Sequence, residues 1–173
     1  MASSPFWADL HNHNAIGYGQ GSMDRSYRIA RGGLLDVYCF TPHGRWHDMP
    51  ANDPKMVEYH RLGFEKVREA WPAVLERAEA ENAPGEFVAL VGYEWHSSQF
   101  GDYHVLLPGG RPEIYGGDDL RQLQDRVRRA GGIMIPHHLG YAPGWRGANW
   151  AAFDPAVSPV VDVFSEHGCS MEA

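Results

Sequence analysis

Six short apolar runs separated by helical stretches limit the folds that are open to this chain. The runs cover residues 6–10, 34–40, 87–91, 105–107, 133–135 and 160–164. Most of these runs are too short to be helices, and we interpret them as buried strands. Strands that alternate with helices are typical of βα units, so the pattern predicts the α/β class rather than a sandwich or a helical bundle.

Three helices are predicted between these runs. They cover about 22–31, about 53–82 and about 118–130, and each begins at a serine or aspartate that can cap a helix. Glycine pairs follow the first and the third helix and favour their ends there. Pro72 is expected to break or kink the long second helix.

Length and composition predict one domain over residues 1–173. A chain of 173 residues with 43% hydrophobic residues can build one core, and no linker or repeat divides it. The net charge of −7 weighs against a nucleic-acid partner. No apolar stretch is long enough to span a membrane and the first residues lack signal-peptide features, so we expect a cytoplasmic protein without a membrane partner. The two cysteines form neither a disulfide framework nor a C-x-x-C motif.

The ten histidines are concentrated just after the ends of the predicted strands. In parallel α/β sheets the carboxyl ends of the strands meet at one edge, where active sites are built. Segments that are distant in sequence are therefore expected to converge. The residues at these ends are His11, His13, His43, Glu94, His96, His137 and His138.

Imidazole and carboxylate groups in this pattern favour a metal site. His11 and His13 are two residues apart, so on an extended chain both rings can face one ion. Glu94 ends a buried apolar run, where an unpaired charge is costly, and it either bridges two cations or pairs with an arginine. Without thiolate ligands, the expected ions are Zn²⁺, Mn²⁺ or Fe²⁺. Surface or loop positions are expected for His47, His60, His96 and His167.

A family resemblance rests on six motifs that together span nearly the whole chain. In order, they are Asp9-Leu10-His11-Asn12-His13, Phe40-Thr41-Pro42-His43, Gly92-Tyr93-Glu94-Trp95, His104 before an apolar run, Ile135-Pro136-His137-His138 and Val161-Asp162-Val163-Phe164-Ser165. This series resembles the motifs of the polymerase-and-histidinol-phosphatase (PHP) superfamily, and most closely its uncharacterised branch with a Gly-Tyr-Glu-Trp motif.

The resemblance implies a distorted (β/α)7 barrel with a two- or three-metal site that hydrolyses phosphoesters. The implied ligands are His11 and His13 for one metal, Glu94 as a bridge to a second, His104 and His137 for that second metal, and His43 for a third. The family closes its site with a late Asp-x-His motif, and this chain has none after residue 138. The length also supplies fewer than six βα units, so we expect either a truncated chain, whose barrel is incomplete at its carboxyl terminus, or an unusually minimal member.

These expectations lead to a metal-dependent hydrolase, most simply a phosphoesterase that uses a hydroxide bridging two metals to attack a small phosphorylated substrate. His138 is the candidate for protonating the leaving group. Arg45 and Arg146 are candidates for binding substrate oxygens, with surface salt bridges as the alternative. Two other functions remain open: hydrolysis of an amide or lactone, and a non-catalytic metal-binding fragment whose exposed apolar residues a homodimer covers.

Overall fold

A computed structural model describes residues 4–165 and 168–169 of the chain. The main strands are β1 (Ala8–Asn12), β2 (Val37–Phe40), β3 (His43–Trp46), β4 (Val88–His96), β5 (Asp102–Leu107) and β6 (Ile133–His137). Three helices lie between them: α1 (Met23–Gly32), α2 (Pro54–Glu81) and α3 (Leu120–Arg129). A 3-10 turn covers Trp150–Ala152, and the two-residue strands β7 (Phe164–Ser165) and β8 (Gly168–Cys169) pair antiparallel.

The three helices begin where the sequence predicts. The side chain of Ser22 accepts a hydrogen bond from the first turn of α1, and Asp53 and Asp119 do the same for α2 and α3. However, α2 continues through Pro72 as one 28-residue helix, so of the predicted break or kink the break is wrong. The helix buries Trp71 and six other residues along its length, and this packing outweighs the hydrogen bond that proline removes.

The six main strands form one curled mixed sheet, an open half-barrel. The strand order is β1-β2-β4-β5-β6, and β3 lies beside the second half of β4. The pairs β1/β2, β2/β4 and β3/β4 are parallel, whereas β4/β5 and β5/β6 are antiparallel. All of these strands except β5 therefore run in the same direction.

The prediction of a distorted (β/α)7 barrel is wrong. Only residues 97–101 join β4 to β5, and a parallel crossover needs a dozen residues or more, so this link can form only a hairpin. No helix separates β2 from β3 either, because residues 41–42 alone connect them. Both connections replace βα units, and the chain forms a half-barrel with three helices instead of a barrel with seven.

The main core lies between the helices and one face of the sheet. Buried side chains of all three helices pack there against alternate residues of β2, β4, β5 and β6, such as Trp95 and Val105. The opposite face carries a small apolar layer around Cys39, Leu106 and Ile135. Because strand residues alternate between faces, Glu94 near the end of β4 lies on the same face as this layer.

The last apolar run is largely irregular. Of the predicted strand over 160–164, only Phe164 belongs to a strand, and Val160, Val163 and Phe164 are exposed. Within the residues that the structure describes, no helix has the length and apolar character needed to cross a membrane.

Replacing Leu123 by alanine tests the packing of α3 on the sheet. Leu123 is 0% exposed, so Leu123→Ala should lower the free energy of unfolding by about 2–5 kcal/mol. Leu62→Ala in α2 is the matched control, since Leu62 is 47% exposed and the helical change is the same. We expect the control to change stability by less than about 0.5 kcal/mol in chemical denaturation. Equal effects of the two substitutions would contradict this packing.

Candidate metal centre

The histidine-bearing ends of the strands meet at one edge of the sheet. β1, β2, β4 and β6 end there, β3 begins there at His43, and β5 begins there because it runs in the opposite direction. The antiparallel register places Glu94 opposite His104 and Asp102 opposite His137. The predicted convergence therefore occurs, although the sheet is not the parallel one from which it was inferred.

Glu94 lies at the centre of the cluster and is 1% exposed. Its Oε2 atom is 3.5 Å from His13 Nε2 and 3.3 Å from His43 Nδ1. Its Oε1 atom is 3.7 Å from His96 Nδ1 and 3.9 Å from His137 Nε2. The two oxygens thus face different sets of imidazole nitrogens, as a carboxylate that bridges two cations would.

These separations fit a shared cation better than hydrogen bonds. Both oxygens of Glu94 are buried without a hydrogen-bond partner among the described residues, a costly arrangement for a carboxylate. Two ligand atoms about 2.0–2.1 Å from one tetrahedral ion are about 3.3–3.4 Å apart. The distances from Glu94 to His13 and His43 lie close to that value.

Asp162 forms a second centre on the other side of His11. Its Oδ2 atom is 3.5 Å from His11 Nδ1, 3.7 Å from His104 Nε2 and 3.0 Å from His137 Nδ1. The backbone N–H of Asp162 donates to the carbonyl of Pro136, which ties this segment to the end of β6. The sequence interpretation did not assign Asp162 as a ligand, and a carboxylate within an apolar run was the signal that could have found it.

Four overlapping groups of ligand atoms in the described part of the chain can hold a metal ion, since the atoms of each group lie within 4.8 Å of one another. Their residues are buried or half-buried histidines and carboxylates, a donor set that suits Zn²⁺, Mn²⁺ or Fe²⁺. The groups are His11/His104/His137/Asp162, His11/His13/Glu94, His43/Glu94/His96 and Glu94/His137/His138.

The protonation states of the cluster favour metal binding. Burial lowers the pKa of His13 and of His104 to about 4, so both rings are neutral at pH 7 and have a lone pair to offer a cation. Burial raises the pKa of Glu94, but the surrounding imidazoles, led by His43 and His96, outweigh it and hold this pKa well below its usual range. Glu94 is therefore ionised.

His96 and Arg146 belong to a buried network around Asp102. Arg146 donates from Nε to Asp102 Oδ2 at 2.7 Å, and His96 Nδ1 lies 3.2 Å from the same oxygen. His96 Nε2 then points to His43 Nδ1, 2.7 Å away. The sequence placed His96 in a loop or on the surface, but β4 extends through His96 and buries it. Arg146 lines the cavity at the site and forms a salt bridge with Asp102.

The remaining predicted residues lie at different places. His138 stacks on Tyr141 beside His137, and burial lowers its pKa to about 3, so its ring is neutral. Its role as proton donor stays a prediction. Arg45 is exposed on β3 and is not among the residues that line the cavity at the cluster. His47 and His60 are half-buried and join none of the ligand groups of the described residues, and His167 lies outside those residues.

A cavity of about 410 Å³ opens in front of the cluster. Its lining combines the imidazoles of the cluster with Arg146 and with an aromatic wall of Tyr18, Tyr59 and His60. Tyr18 and Tyr59 are site residues that the sequence interpretation missed, because an aromatic residue in a loop or on a helix has no periodic signal of its own.

Comparisons with known proteins leave the function open. Residues 43–105 match the model of a family described as "Protein of unknown function (DUF3604)". None of the curated proteins matches the chain. Among solved structures, PsfC from Pseudomonas syringae PB-5123 is 17% identical with a TM-score of 0.45, over 91% of this chain and 63% of that one. The chain therefore spans less than two thirds of PsfC, and a likeness of this strength supports no inference about fold or function.

The PHP resemblance is wrong on these findings. The family that matches is a different one, and the sheet is a half-barrel without the βα repeats of a PHP barrel. The motifs behind the resemblance are short histidine and carboxylate groups at strand ends. Any sheet that brings several strand ends together at one edge can carry such motifs. The motifs therefore indicate where the site lies but not which fold carries it.

Proposed function

We propose that this chain is a metal-dependent hydrolase that acts on small anionic phosphoesters. The observation that carries the proposal is the ionised, buried Glu94, whose two oxygens lack hydrogen-bond partners among the described residues and face imidazoles on both sides. A carboxylate in this setting needs compensating positive charge. The neutral imidazoles around it are suited to bind metal cations, which would supply that charge.

The described residues offer places for two or three divalent ions. His11, His13 and Glu94 would hold one ion, and Glu94 would extend to His43 and His96 or to His137 and His138. Asp162 with its three histidines offers a further place. Bound divalent cations supply a Lewis acid and an activated water at neutral pH, which is the chemistry that hydrolysis needs.

The charge of the loaded site favours a phosphate over a neutral ester. Glu94 and Asp162 contribute two negative charges, while Asp102 is matched by Arg146. Two divalent cations would bring four positive charges, so the floor of the cavity would be positive in a chain whose net charge is −7. Low-dielectric walls concentrate such a field and attract anionic substrates.

The protein's own residues position the ligands. Asp102 accepts hydrogen bonds from Arg146 and lies beside His96 Nδ1, which leaves His96 Nε2 directed toward His43. A carboxylate that holds the second ring nitrogen of a ligating histidine fixes its tautomer and ring orientation. Asp102 would therefore orient His96 without contacting the substrate.

Substitution of Glu94 tests the metal site. Glu94→Gln removes the charge and one acceptor oxygen at nearly constant volume, so the variant should bind at least one fewer divalent ion per chain than the wild type. Elemental analysis after loading with Mn²⁺ or Zn²⁺ and dialysis measures this. At 100 times its Kd a cation should also stabilise the wild type by about 2.7 kcal/mol, and we expect little of this gain in the variant.

Glu79→Gln is the matched control for this experiment. The Glu79 side chain is 75% exposed, so its loss should change neither the metal content nor the stabilisation. An equal number of bound ions in Glu94→Gln and in the wild type would contradict the proposed bridging role.

Activity on matched substrates tests the reaction. The metal-loaded wild type should release phosphate or alcohol from simple phosphomonoesters or phosphodiesters, and Glu94→Gln should reduce kcat/KM by about 100-fold or more, corresponding to about 2.7 kcal/mol. Carboxyl esters and lactones form the comparison panel. Hydrolysis confined to those compounds would replace the phosphoesterase by a carbonyl hydrolase, and a fully loaded protein inactive on all of them would favour the non-catalytic metal-binding alternative.

A further inference from the structure

Two tyrosines of the aromatic wall lie beside the candidate metal centre. The rings of Tyr18 and Tyr59 are stacked, with centroids 4.8 Å apart and an interplanar angle of 18°. Tyr18 also contacts the ring of His43, with centroids 4.5 Å apart. The stacked pair therefore begins at a candidate metal ligand and extends along the side of the cavity.

The position of Tyr18 is fixed by α2. Its hydroxyl lies 2.8 Å from His60 Nδ1 and donates to the His60 carbonyl at 3.1 Å. Its ring rests on Gly63, where a Cβ atom would overlap the ring. A glycine within a helix interior is less favourable than alanine, so the close approach of Tyr18 gives this glycine a structural role.

Tyr59 is the accessible end of the wall. It is 56% exposed although it lies on the rigid helix α2 and lines the cavity. One face of its ring is covered by Tyr18, and the ring of His60 lies at 73° to it with centroids 5.5 Å apart. A large aromatic side chain held in this way, next to a cavity and with much of its surface in solvent, is suited to stack on a planar group of a ligand.

We propose that Tyr18 and Tyr59 form a stacking platform for a planar heteroaromatic group of the substrate, such as the base of a nucleotide whose phosphate lies at the metal centre. This inference rests on the proposed phosphoesterase function for the placement of the phosphate. It names the substrate class: a phosphoester in which a sugar-sized spacer joins phosphate and planar ring, because Tyr59 is separated from the ligand His43 by one intervening ring.

Two monoesters that differ only in the base test this platform. AMP and ribose 5-phosphate share the same primary leaving alcohol, so their intrinsic reactivities are similar. For the metal-loaded wild type we expect kcat/KM to be about tenfold higher for AMP, mainly through KM, since stacking of a base on an aromatic side chain has about this effect. If neither compound is hydrolysed, the ratio of their Kd values from calorimetry takes the place of the kinetic ratio.

Variants of the wall separate stacking from other contributions. Tyr59→Ala should bring the ratio close to one, and Tyr59→Phe should retain it because the ring face is kept. Gly63→Ala should also lower the ratio by displacing Tyr18. Trp150→Ala is the control, because Trp150 is similarly exposed at 54% and does not line the cavity, and it should leave the ratio unchanged.

Each outcome has one meaning. A wild-type ratio near one, or an unchanged tenfold ratio in Tyr59→Ala, would overturn the platform even if both esters are hydrolysed. A base-dependent Kd without release of phosphate would support the platform and count against the phosphoesterase function. The two proposals can therefore fail separately.

Discussion

The burial of an ionised carboxylate is the constraint on which the site depends. Glu94 ends an apolar strand and is almost completely removed from solvent, where a charge is stable only if its surroundings compensate it. Imidazoles surround it that follow β1 or belong to β3, β6 and β4 itself. Their nitrogens approach the two carboxylate oxygens without forming hydrogen bonds. The cluster could therefore hold a cation, whose positive charge would compensate the carboxylate.

Strand β4 brings these groups together because both of its edges are used. β2 pairs with its first half, β3 pairs with its second half on the same side, and β5 covers the other edge. Because β5 runs antiparallel, its amino-terminal residues lie next to the carboxyl end of β4. His104 therefore lies at the same edge of the sheet as it would at the end of a parallel strand. The same cluster can form although β5 is antiparallel.

The sequence predicted the site better than the fold for this reason. The candidate ligands stand at the ends of predicted strands and in the motifs of the resemblance, and the structure brings them together: His11, His13, His43, Glu94, His104 and His137. Their role as metal ligands stays a prediction. The barrel prediction rested on the resemblance and on one βα unit for each apolar run. It failed because β4 and β5 extend beyond the runs 87–91 and 105–107 and leave only five residues between them. His96, Asp102 and Asp162 were missed or left without a role, since their partners are distant in sequence. The contact of Asp102 with Arg146, for example, spans 44 residues and has no local pattern.

The cluster is better explained by function than by stability. Without a cation, folding must bury Glu94 and the fully buried His104 with polar atoms that lack hydrogen-bond partners among the described residues, and such groups cost more than an apolar layer of the same shape. The apolar layer around Cys39, Leu106 and Ile135 on the same face shows that this sheet can be covered by hydrophobic side chains. A sequence under pressure for stability alone would extend that layer to the edge of the sheet. That it ends in histidines and carboxylates, beside a cavity with a fixed aromatic wall, supports the proposed binding of cations at these positions.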